Sequence, residues 1–319
     1  MNKEQLQPNS FKNFVGQNKI INVIKWMIES SEVQKKPLDH ILFYSSPGTG
    51  KTTLASVIAN EQNTQIHYAQ GSNIEKKSDL IALLASLEEG DILFIDEIHS
   101  LNEQLQESLY SAMEYFVFDL IVGVEDNART MRMKLKPFTL IGATTDLNLI
   151  SKPFKERFGF LARFKQYEDN EIEKIIVNSA KKLKMQLDEG VSALIAEHSR
   201  KTPRIANHLL KRCNDLMFAK KLQTLSLKNV AEVFKNLEIF KFGLNREHID
   251  FLKTLRESFN EKWVSLDTVV NIVSSSKDNI LKEIEPVLLS NNLIEKSSRG
   301  RRITSHGVDY LLSNFQSIS

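Results

Sequence analysis

Apolar residues follow two alternating patterns along the first half of the chain. Short runs rich in apolar residues predict strands at 41–44, 66–69, 92–95, 137–145 and 160–164. Between these runs, apolar residues recur every three or four positions, as at Leu80, Leu83, Leu84 and Leu87, which predicts helices. Strands that alternate with helices are typical of a parallel sheet covered on both faces. The pattern therefore predicts an α/β domain over residues 1–167.

The pattern changes after residue 167. Residues 168–240 show helical spacing only, which predicts a small all-α domain. After a break near residues 236–245, the segment 241–319 shows three helical runs followed by a glycine-tipped hairpin at 293–303. This order of elements is typical of a winged helix-turn-helix. We therefore predict three domains.

A second hairpin is predicted inside the first domain, at about residues 116–136. Its alternating pattern leaves apolar side chains on a two-stranded ribbon, and such a ribbon needs a cover to be stable. Either the ribbon's own domain or a partner protein supplies that cover. The spacing alone does not choose between them.

Composition narrows the class of protein. The 42 basic and 40 acidic residues give no overall polyelectrolyte charge, so any contact with nucleic acid must be a local patch. The single cysteine, Cys213, excludes an internal disulfide, and the polar N-terminal residues lack the apolar region of a signal peptide. No apolar run approaches the roughly 18 residues that span a bilayer. We expect a cytoplasmic protein with no membrane role.

The turn after the first strand has the composition of a phosphate-binding loop. Gly50, Lys51 and Thr52 fit the end of the pattern Gly-x-x-x-x-Gly-Lys-Ser/Thr, Gly48 lies within it, and Ser45 occupies the position of its first glycine. Glycines let consecutive backbone N–H groups surround anionic oxygens, and the helix N-terminus adds positive potential. The alternative is an ordinary strand-turn-helix corner, which seldom combines two glycines and a lysine.

Acidic and hydroxyl side chains follow two other predicted strands. Asp96 and Glu97 come directly after the strand at 92–95, and Thr145 ends the run at 137–145. Open α/β sheets bind ligands at the carboxyl ends of their strands. Asp96 is therefore placed to hold Mg²⁺, Glu97 to orient or deprotonate water, and Thr145 to sense a γ-phosphate or to position water. The alternative for the two acids is a helix N-cap.

Two arginines stand out by position. Arg157 lies at a predicted helix end. There it either forms a surface ion pair or extends to a neighbouring subunit's site and stabilises the charge of the γ-phosphate. Arg204 lies in the first turn of a helix that begins with Thr202 as N-cap and Pro203. A cation there opposes the helix dipole, so it needs a partner, either nucleotide phosphates or a structural carboxylate.

The C-terminal hairpin concentrates cations at Lys296, Arg299, Arg301 and Arg302 around Gly300. Each phosphate that such cations neutralise makes binding to duplex DNA depend more steeply on salt. The alternative is a solvated basic hairpin with no ligand. Lys296, Arg299 and Arg301 are our candidate DNA-binding residues.

Taken together, these motifs resemble the RuvB family of AAA+ ATPases that drive branch migration of Holliday junctions. The resemblance covers nearly the whole chain. It rests on residues 14–17 (FVGQ), 38–40 (LDH), 87–99 (LEEGDILFIDEIH), 137–145 (PFTLIGATT), 157–159 (RFG), 202–207 (TPRIAN) and 299–301 (RGR).

The resemblance implies an AAA+ P-loop domain, a small helical lid domain and a C-terminal winged-helix domain. It implies that Lys51 and Thr52 bind phosphate and Mg²⁺ of ATP, that Asp96 and Glu97 form the Walker B site, and that Thr145 is sensor 1. Arg157 would be the arginine finger and Arg204 sensor 2. The nucleotide-binding set is completed by Leu6, Gln7, Ser45, Gly48, Gly50, Thr53, Glu114, Tyr115, Phe116 and Tyr167, with Leu6 and Tyr167 at the base.

The resemblance also implies partners: duplex and four-way-junction DNA, a homohexameric ring, and the protein RuvA, docked on the hairpin of residues 116–135. Three departures from the family pattern occur, at Ser45, at Gln7 in place of an arginine, and at residues 296–298 (KSS) of the wing. Two other functions stay open at this stage. One is an ATP switch that loads another protein, and the other is sequence-specific DNA binding regulated by ATP.

Overall fold

The computed structural model describes residues 6–122 and 129–315. The chain forms two compact units. The first comprises Met1–Glu171 with Thr202–Arg204, and the second comprises Ile172–Lys201 with Ile205–Ser319.

The first unit is built on a five-stranded parallel sheet. Its helices are α1 (Asn18–Gln34), α2 (Lys51–Gln62), α3 (Lys77–Ala85), α4 (Glu103–Tyr115) and α5 (Lys152–Lys155). The sheet strands are β1 (Ile41–Tyr44), β2 (Ile66–Gln70), β3 (Ile92–Asp96), β6 (Thr139–Thr144) and β7 (Phe160–Arg163). They are arranged in the order β2-β3-β6-β1-β7. All four pairings are parallel, so the predicted parallel sheet is confirmed.

Burial explains why the central strands are continuously apolar. Strand β6 is buried along its whole length, and β3 is buried from Ile92 to Ile95. Side chains on one face of the sheet pack with α1 and α2, and those on the other face pack with α3 and α4. Because water reaches neither face, no alternation of polar residues is needed. The loops at the carboxyl ends of the strands carry the chemistry.

The hairpin of β4 (Val117–Val122) and β5 (Arg129–Lys134) is antiparallel, with Leu120 opposite Met131. Phe118 is buried, and Leu120, Met133 and Leu135 pack against the core of their own unit. Met131 stays 54% exposed. The base of the ribbon therefore has a cover from its own unit, whereas the tip, residues 123–128 of the predicted RuvA-docking hairpin, lies outside the described residues.

The helices of the second unit begin with most of α6 (Asp169–Lys182) and continue with α7 (Val191–Glu197), most of α8 (Pro203–Lys220) and α9 (Leu227–Asn236). The prediction of helices only was incomplete here. Two short strands, β8 (Gln186–Leu187) and β9 (Thr224–Leu225), pair in parallel. Each strand is two residues long, too short to produce a recognisable alternation in the sequence.

The C-terminal part of the second unit is a winged helix. It contains α10 (Arg246–Glu257), α11 (Leu266–Val270), α12 (Lys277–Asn279), a π-helical turn (Ile280–Ile284), α13 (Glu285–Ser290), β10 (Ile294–Ser297), β11 (Gly300–Ile303) and α14 (Ser305–Phe315). Helix α14 was not predicted. Val264 pairs with Arg301, which adds a third extended segment to the hairpin. Within the described residues, no helix is long and apolar enough to cross a membrane.

Candidate active site

The loop between β1 and α2 has the backbone of a phosphate cradle. Gly48 and Gly50 adopt φ angles of +79° and +101°, a region that strongly favours glycine. Ser45 is not among the residues with positive φ, so its backbone accepts a side chain without strain. The replacement of the family's first glycine by Ser45 therefore leaves the path of the loop compatible with phosphate binding.

Lys51 is the central cation of this loop. It is 7% exposed, and its Nζ donates to the carbonyl oxygens of Ser45 at 2.9 Å and Ser46 at 3.2 Å. Burial lowers the pKa of Lys51, while the carboxylates of Asp96 and Glu97 raise it and the charge of Arg204 lowers it. Lys51 is thus held at the loop, close enough to interact electrostatically with Asp96, Glu97 and Arg204.

Aromatic side chains support the loop from behind. The hydroxyl of Tyr167, a buried residue, donates to the carbonyl of Thr49 at 3.0 Å. A Cβ on Gly50 would lie 3.4 Å from the Phe14 ring and 3.5 Å from the Tyr167 hydroxyl. Burial raises the pKa of Tyr167, so the phenol stays protonated and keeps donating. The structure therefore brings Tyr167 to the loop. Leu6 is buried, and Gln7 is half-buried.

The carboxyl ends of β3 and β6 place Asp96, Glu97 and Thr145 at the same edge of the sheet as the loop. Asp96 Oδ1 accepts the backbone N–H of Glu97 at 3.0 Å. The hydroxyl of Thr145 donates to Glu97 Oε2 at 3.1 Å. Glu97 itself has φ of +50°, and a Cβ on Gly71 would come within 2.4 Å of its carbonyl oxygen. The backbone at Glu97 is therefore fixed by close packing.

Arg204 also lies in the first unit, beside the phosphate loop. A Cβ on Gly48 would lie 2.8 Å from Thr202 Cγ2 and 3.1 Å from Arg204 Cβ. Gly48 is thus required both by its φ and by this close approach. The contact brings Arg204 near Lys51, and its charge contributes to the lowered pKa of Lys51.

The donor set fits Mg²⁺ held jointly with a nucleotide. Within the described residues, no group of three or more His, Cys, Asp and Glu side chains is arranged to hold a metal alone. Mg²⁺ in phosphate sites usually takes one or two protein oxygens, with phosphates and waters completing its shell. Thr52, at the start of α2, and Asp96, at the end of β3, are the oxygen donors of this kind at the loop.

Two other predicted residues, Arg157 and Glu114, lie at the opposite edge of the sheet. Arg157 precedes β7, whose first residue, Phe160, pairs with Ile41 at the start of β1. Glu114 follows Met113, whose carbonyl contacts His40 Nε2 at 3.0 Å, also at the start of β1. The phosphate loop follows the other end of β1. The chain therefore does not bring Arg157 or Glu114 to its own phosphate loop.

Arg157 is held by its neighbours at that edge. Its guanidinium carbon lies 4.0 Å from the centroid of the Tyr110 ring, and Nη1 donates to the Pro153 carbonyl at 2.8 Å. Nη2 lies 3.8 Å from Glu114 Oε2, and the Tyr115 hydroxyl donates to Glu114 Oε1 at 2.9 Å. The next residue, Phe116, is the C-cap of α4. Residues 114–116 thus accompany Arg157, and their assignment to the nucleotide set stays a prediction.

The cations of the C-terminal hairpin differ in their surroundings. Arg299 and Lys296 are exposed, but Arg301 is 4% exposed. Arg301 Nη2 lies 2.5 Å from Glu285 Oε1, and Lys296 Nζ lies 2.8 Å from Glu285 Oε2. The sequence analysis named Arg301 as a candidate DNA-binding residue; in the structure its side chain is buried and paired with Glu285, so of the three candidates only Lys296 and Arg299 are exposed.

Sequence reasoning missed two residues that the structure makes prominent. Glu285 is a buried acid within a helix, and its signal was a carboxylate directly before Pro286 in an otherwise apolar run. His99 lies three residues after Asp96 and contacts both Glu97 and Thr144. Only the tertiary arrangement brings Thr144 to that ring.

Three family models match the chain in succession. They describe the RuvB Holliday junction DNA helicase P-loop domain over residues 6–164, the RuvB AAA lid domain over 167–240 and the RuvB C-terminal winged helix domain over 241–312.

Full-length relatives match as well. The Holliday junction branch migration complex subunit RuvB of Mycoplasmopsis pulmonis is 50% identical over 309 residues, covering 97% of this chain and 98% of the relative. The same subunit of Mycoplasmopsis synoviae is 51% identical, covering 96% and 97%. The solved structure of the Thermotoga maritima RuvB Holliday junction branch migration motor matches with a TM-score of 0.81 and 34% identity, over 96% of this chain and 98% of that one.

Proposed function

This chain belongs to the RuvB family, and on that premise we propose that it is the ATP-hydrolysing motor subunit that drives branch migration of Holliday junctions. The P-loop, lid and winged-helix matches cover nearly the whole chain, and relatives named as branch migration complex subunits match from end to end. The observation that carries the proposal is the edge of the sheet where Lys51, Asp96, Glu97 and Thr145 meet beside a glycine cradle.

ATP binds at the P-loop, where phosphoryl transfer to water supplies the free energy for movement. Lys51, on the first residue of α2, balances the negative charge that develops on the phosphates. Thr52 and Asp96 supply the oxygens for Mg²⁺. Tyr167 and Phe14 hold the loop from behind, so the cradle is formed before the ligand arrives.

Glu97 is the base that orients and deprotonates water, and Thr145 is the polar sensor beside it. The Thr145 hydroxyl has one proton to donate, and it donates that proton to Glu97 Oε2. If this hydroxyl donates its hydrogen bond to a phosphate oxygen of the nucleotide instead, the Glu97 carboxylate loses that hydrogen bond. Thr145 therefore links the state of the nucleotide to the position of the base. Arg204, which lies beside Gly48 and is the second residue of α8, couples the state of the nucleotide to that helix.

Arg157 acts on the site of a neighbouring subunit. Its location at the N-terminal edge of the sheet, away from the loop of its own chain, supports this assignment. Glu114 and Tyr110 hold the guanidinium at that edge, ready for a neighbour's γ-phosphate. A finger supplied in trans completes every site only in a closed ring, because in an open array the last site lacks its finger. We propose a homohexamer.

The winged helix contacts duplex DNA through its hairpin. Arg299 lies at the tip and Lys296 is exposed beside it, while Arg301 holds the hairpin to Glu285 from inside. The partner RuvA docks on the hairpin of residues 116–135, where the exposed side chain of Met131 supports an apolar contact. Such a motor recognises branched structure and has no preference for sequence.

The test is a branch-migration assay on a synthetic four-way junction, with RuvA and Mg-ATP. The wild-type chain should convert the junction into two duplexes, and Lys51→Ala should not. Junctions of unrelated sequence should be processed at similar rates. A chain that hydrolyses ATP but leaves every junction intact, with RuvA present, would show that the protein is not this motor.

A further inference from the structure

His99 lies next to the proposed base, and the mechanism above gives it no role. Its Nδ1 is 2.9 Å from Thr144 Oγ1 and 3.3 Å from Glu97 Oε2. The imidazole is mostly buried, with 17% of its side chain exposed. It sits on the 3₁₀ turn Ile98–Ser100, which follows β3 immediately. The turn therefore places one nitrogen of the ring between two strand ends.

Thr144 determines which nitrogen carries the proton. Its hydroxyl donates to the carbonyl of Asp146 at 3.0 Å and accepts the backbone N–H of Asp146 at 3.0 Å. A hydroxyl has a single proton, so toward His99 it is an acceptor. A carboxylate only accepts as well. Both neighbours therefore assign the proton to Nδ1, from the hydrogen-bond network.

The contacts on Glu97 are unevenly distributed between its two oxygens. Thr145 and His99 both reach Oε2. Within residues 6–122 and 129–315, no hydrogen bond reaches Oε1. Oε2 thus accepts a hydrogen bond from Thr145 and has the His99 Nδ1 as a second, longer contact, whereas Oε1 remains available to accept a proton from water. A base fixed in this way loses little freedom in the reaction.

We propose that His99 is a positioning residue for Glu97: its Nδ1–H, hydrogen-bonded to Thr144 Oγ1, also lies within 3.3 Å of Glu97 Oε2 and favours the working orientation of the carboxylate. This rests on the proposed function, in which Glu97 is the base. When the Thr145 hydroxyl turns to a phosphate oxygen, Glu97 Oε2 keeps its contact with His99 Nδ1 at 3.3 Å. Thr144, which is fully buried, keeps the ring in the required tautomer. The two adjacent threonines thus have separate tasks, one toward the histidine and one toward the nucleotide.

The test compares three substitutions in the full chain: His99→Ala, His99→Asn and His99→Gln. An asparagine amide takes the place of Nδ1–H, whereas a glutamine amide takes the place of the remote nitrogen. We expect His99→Ala and His99→Gln to lower kcat for ATP hydrolysis by about 10- to 100-fold, the size of effect that small misplacements of reacting groups produce. His99→Asn should recover most of the rate.

The KM for ATP and the Kd for a fluorescent ADP analogue should stay within about twofold of wild type, because only the orientation of the base changes. A merely structural role would affect Asn and Gln variants alike, so equal rates for the two would overturn the inference. Thermal unfolding of both variants checks that they are equally folded.

Glu97→Gln separates the inference from the function on which it rests. If Glu97→Gln is inactive and His99→Ala retains wild-type kcat, positioning by His99 is wrong and the base assignment stands. If Glu97→Gln hydrolyses ATP at the wild-type rate, the base assignment is wrong, and positioning through Glu97 fails with it.

Discussion

The buried ion pair between Arg301 and Glu285 is expected to decide the stability of the winged-helix segment. The two side chains are 5% and 2% exposed, and their closest atoms are 2.5 Å apart. Two unit charges about 4 Å apart interact by about 4 kcal/mol at an effective dielectric constant of about 20. Removing one partner of such a pair typically costs about 3–5 kcal/mol, since the other charge is left buried.

Arg301→Met is the perturbation. Lys296 still contacts Glu285 in this variant, so we expect the lower end of that range, about 3 kcal/mol. Lys296→Met is the matched control, because its side chain is 46% exposed and its loss should cost about 1 kcal/mol or less. The double variant Glu285→Leu/Arg301→Met leaves no buried charge of the pair and should be more stable than Arg301→Met alone.

Fluorescence reports this segment specifically. The chain has two tryptophans, and Trp263 lies in the winged helix, where the Arg302 guanidinium is 4.8 Å from its ring centroid. Trp26 is 65% exposed, so Trp26→Phe provides a background with little effect on packing. Urea unfolding followed at Trp263 then measures each variant. Equal stability of Arg301→Met and Lys296→Met would refute the reasoning, and would return Arg301 to the role of a solvated DNA-contacting cation.

Two further predictions concern the ring interface and pH. Lys51→Ala and Arg157→Ala should each lack ATPase activity alone. Rings that contain both variants should regain part of the activity, because a Lys51→Ala subunit can supply its Arg157 to the intact phosphate loop of an Arg157→Ala neighbour. Mixtures no more active than their components would exclude a finger that acts in trans. Burial, and then the charge of Arg200, lowers the pKa of His248 from 6.5 to about 4. Between these two pH values the folded state thus binds fewer protons than the unfolded state. The free energy of unfolding, measured by Trp263 fluorescence, should therefore fall by up to about 3 kcal/mol as pH drops from 6.5 toward 4. His248→Gln should flatten that dependence, and an unchanged slope would assign it to other groups.

The Walker-type residues could be identified from the sequence because each lies next to its own local signal. Lys51 follows two glycines, and Asp96 and Glu97 follow a continuous apolar strand. Such signals need only a few consecutive residues, since a strand end and a helix start fix the direction of the side chains between them. The question raised by Ser45 needed the structure, because only the φ angle shows that a side chain is tolerated there.

The edge of the sheet to which a residue belongs is not a local property. Sequence placed Glu114, Tyr115 and Phe116 in one set with the phosphate loop, and the register of β1 with β7 and the contact of His40 with Met113 separate them. The same is true of charge. Arg301 and Arg299 look alike along the chain, but the fold buries one against Glu285 and leaves the other in solvent.

The sequence by itself determined the order of elements, the phosphate loop and the acids that follow β3, because backbone conformation and strand burial are encoded over short distances. Only the tertiary structure decided which residues share a site. Thr144 lies 45 residues from His99, and Glu285 lies 16 residues from Arg301. Pairings at such separations depend on how strands and helices pack. No local pattern in the sequence therefore predicts the contacts around Glu97 or the ion pair that neutralises Arg301.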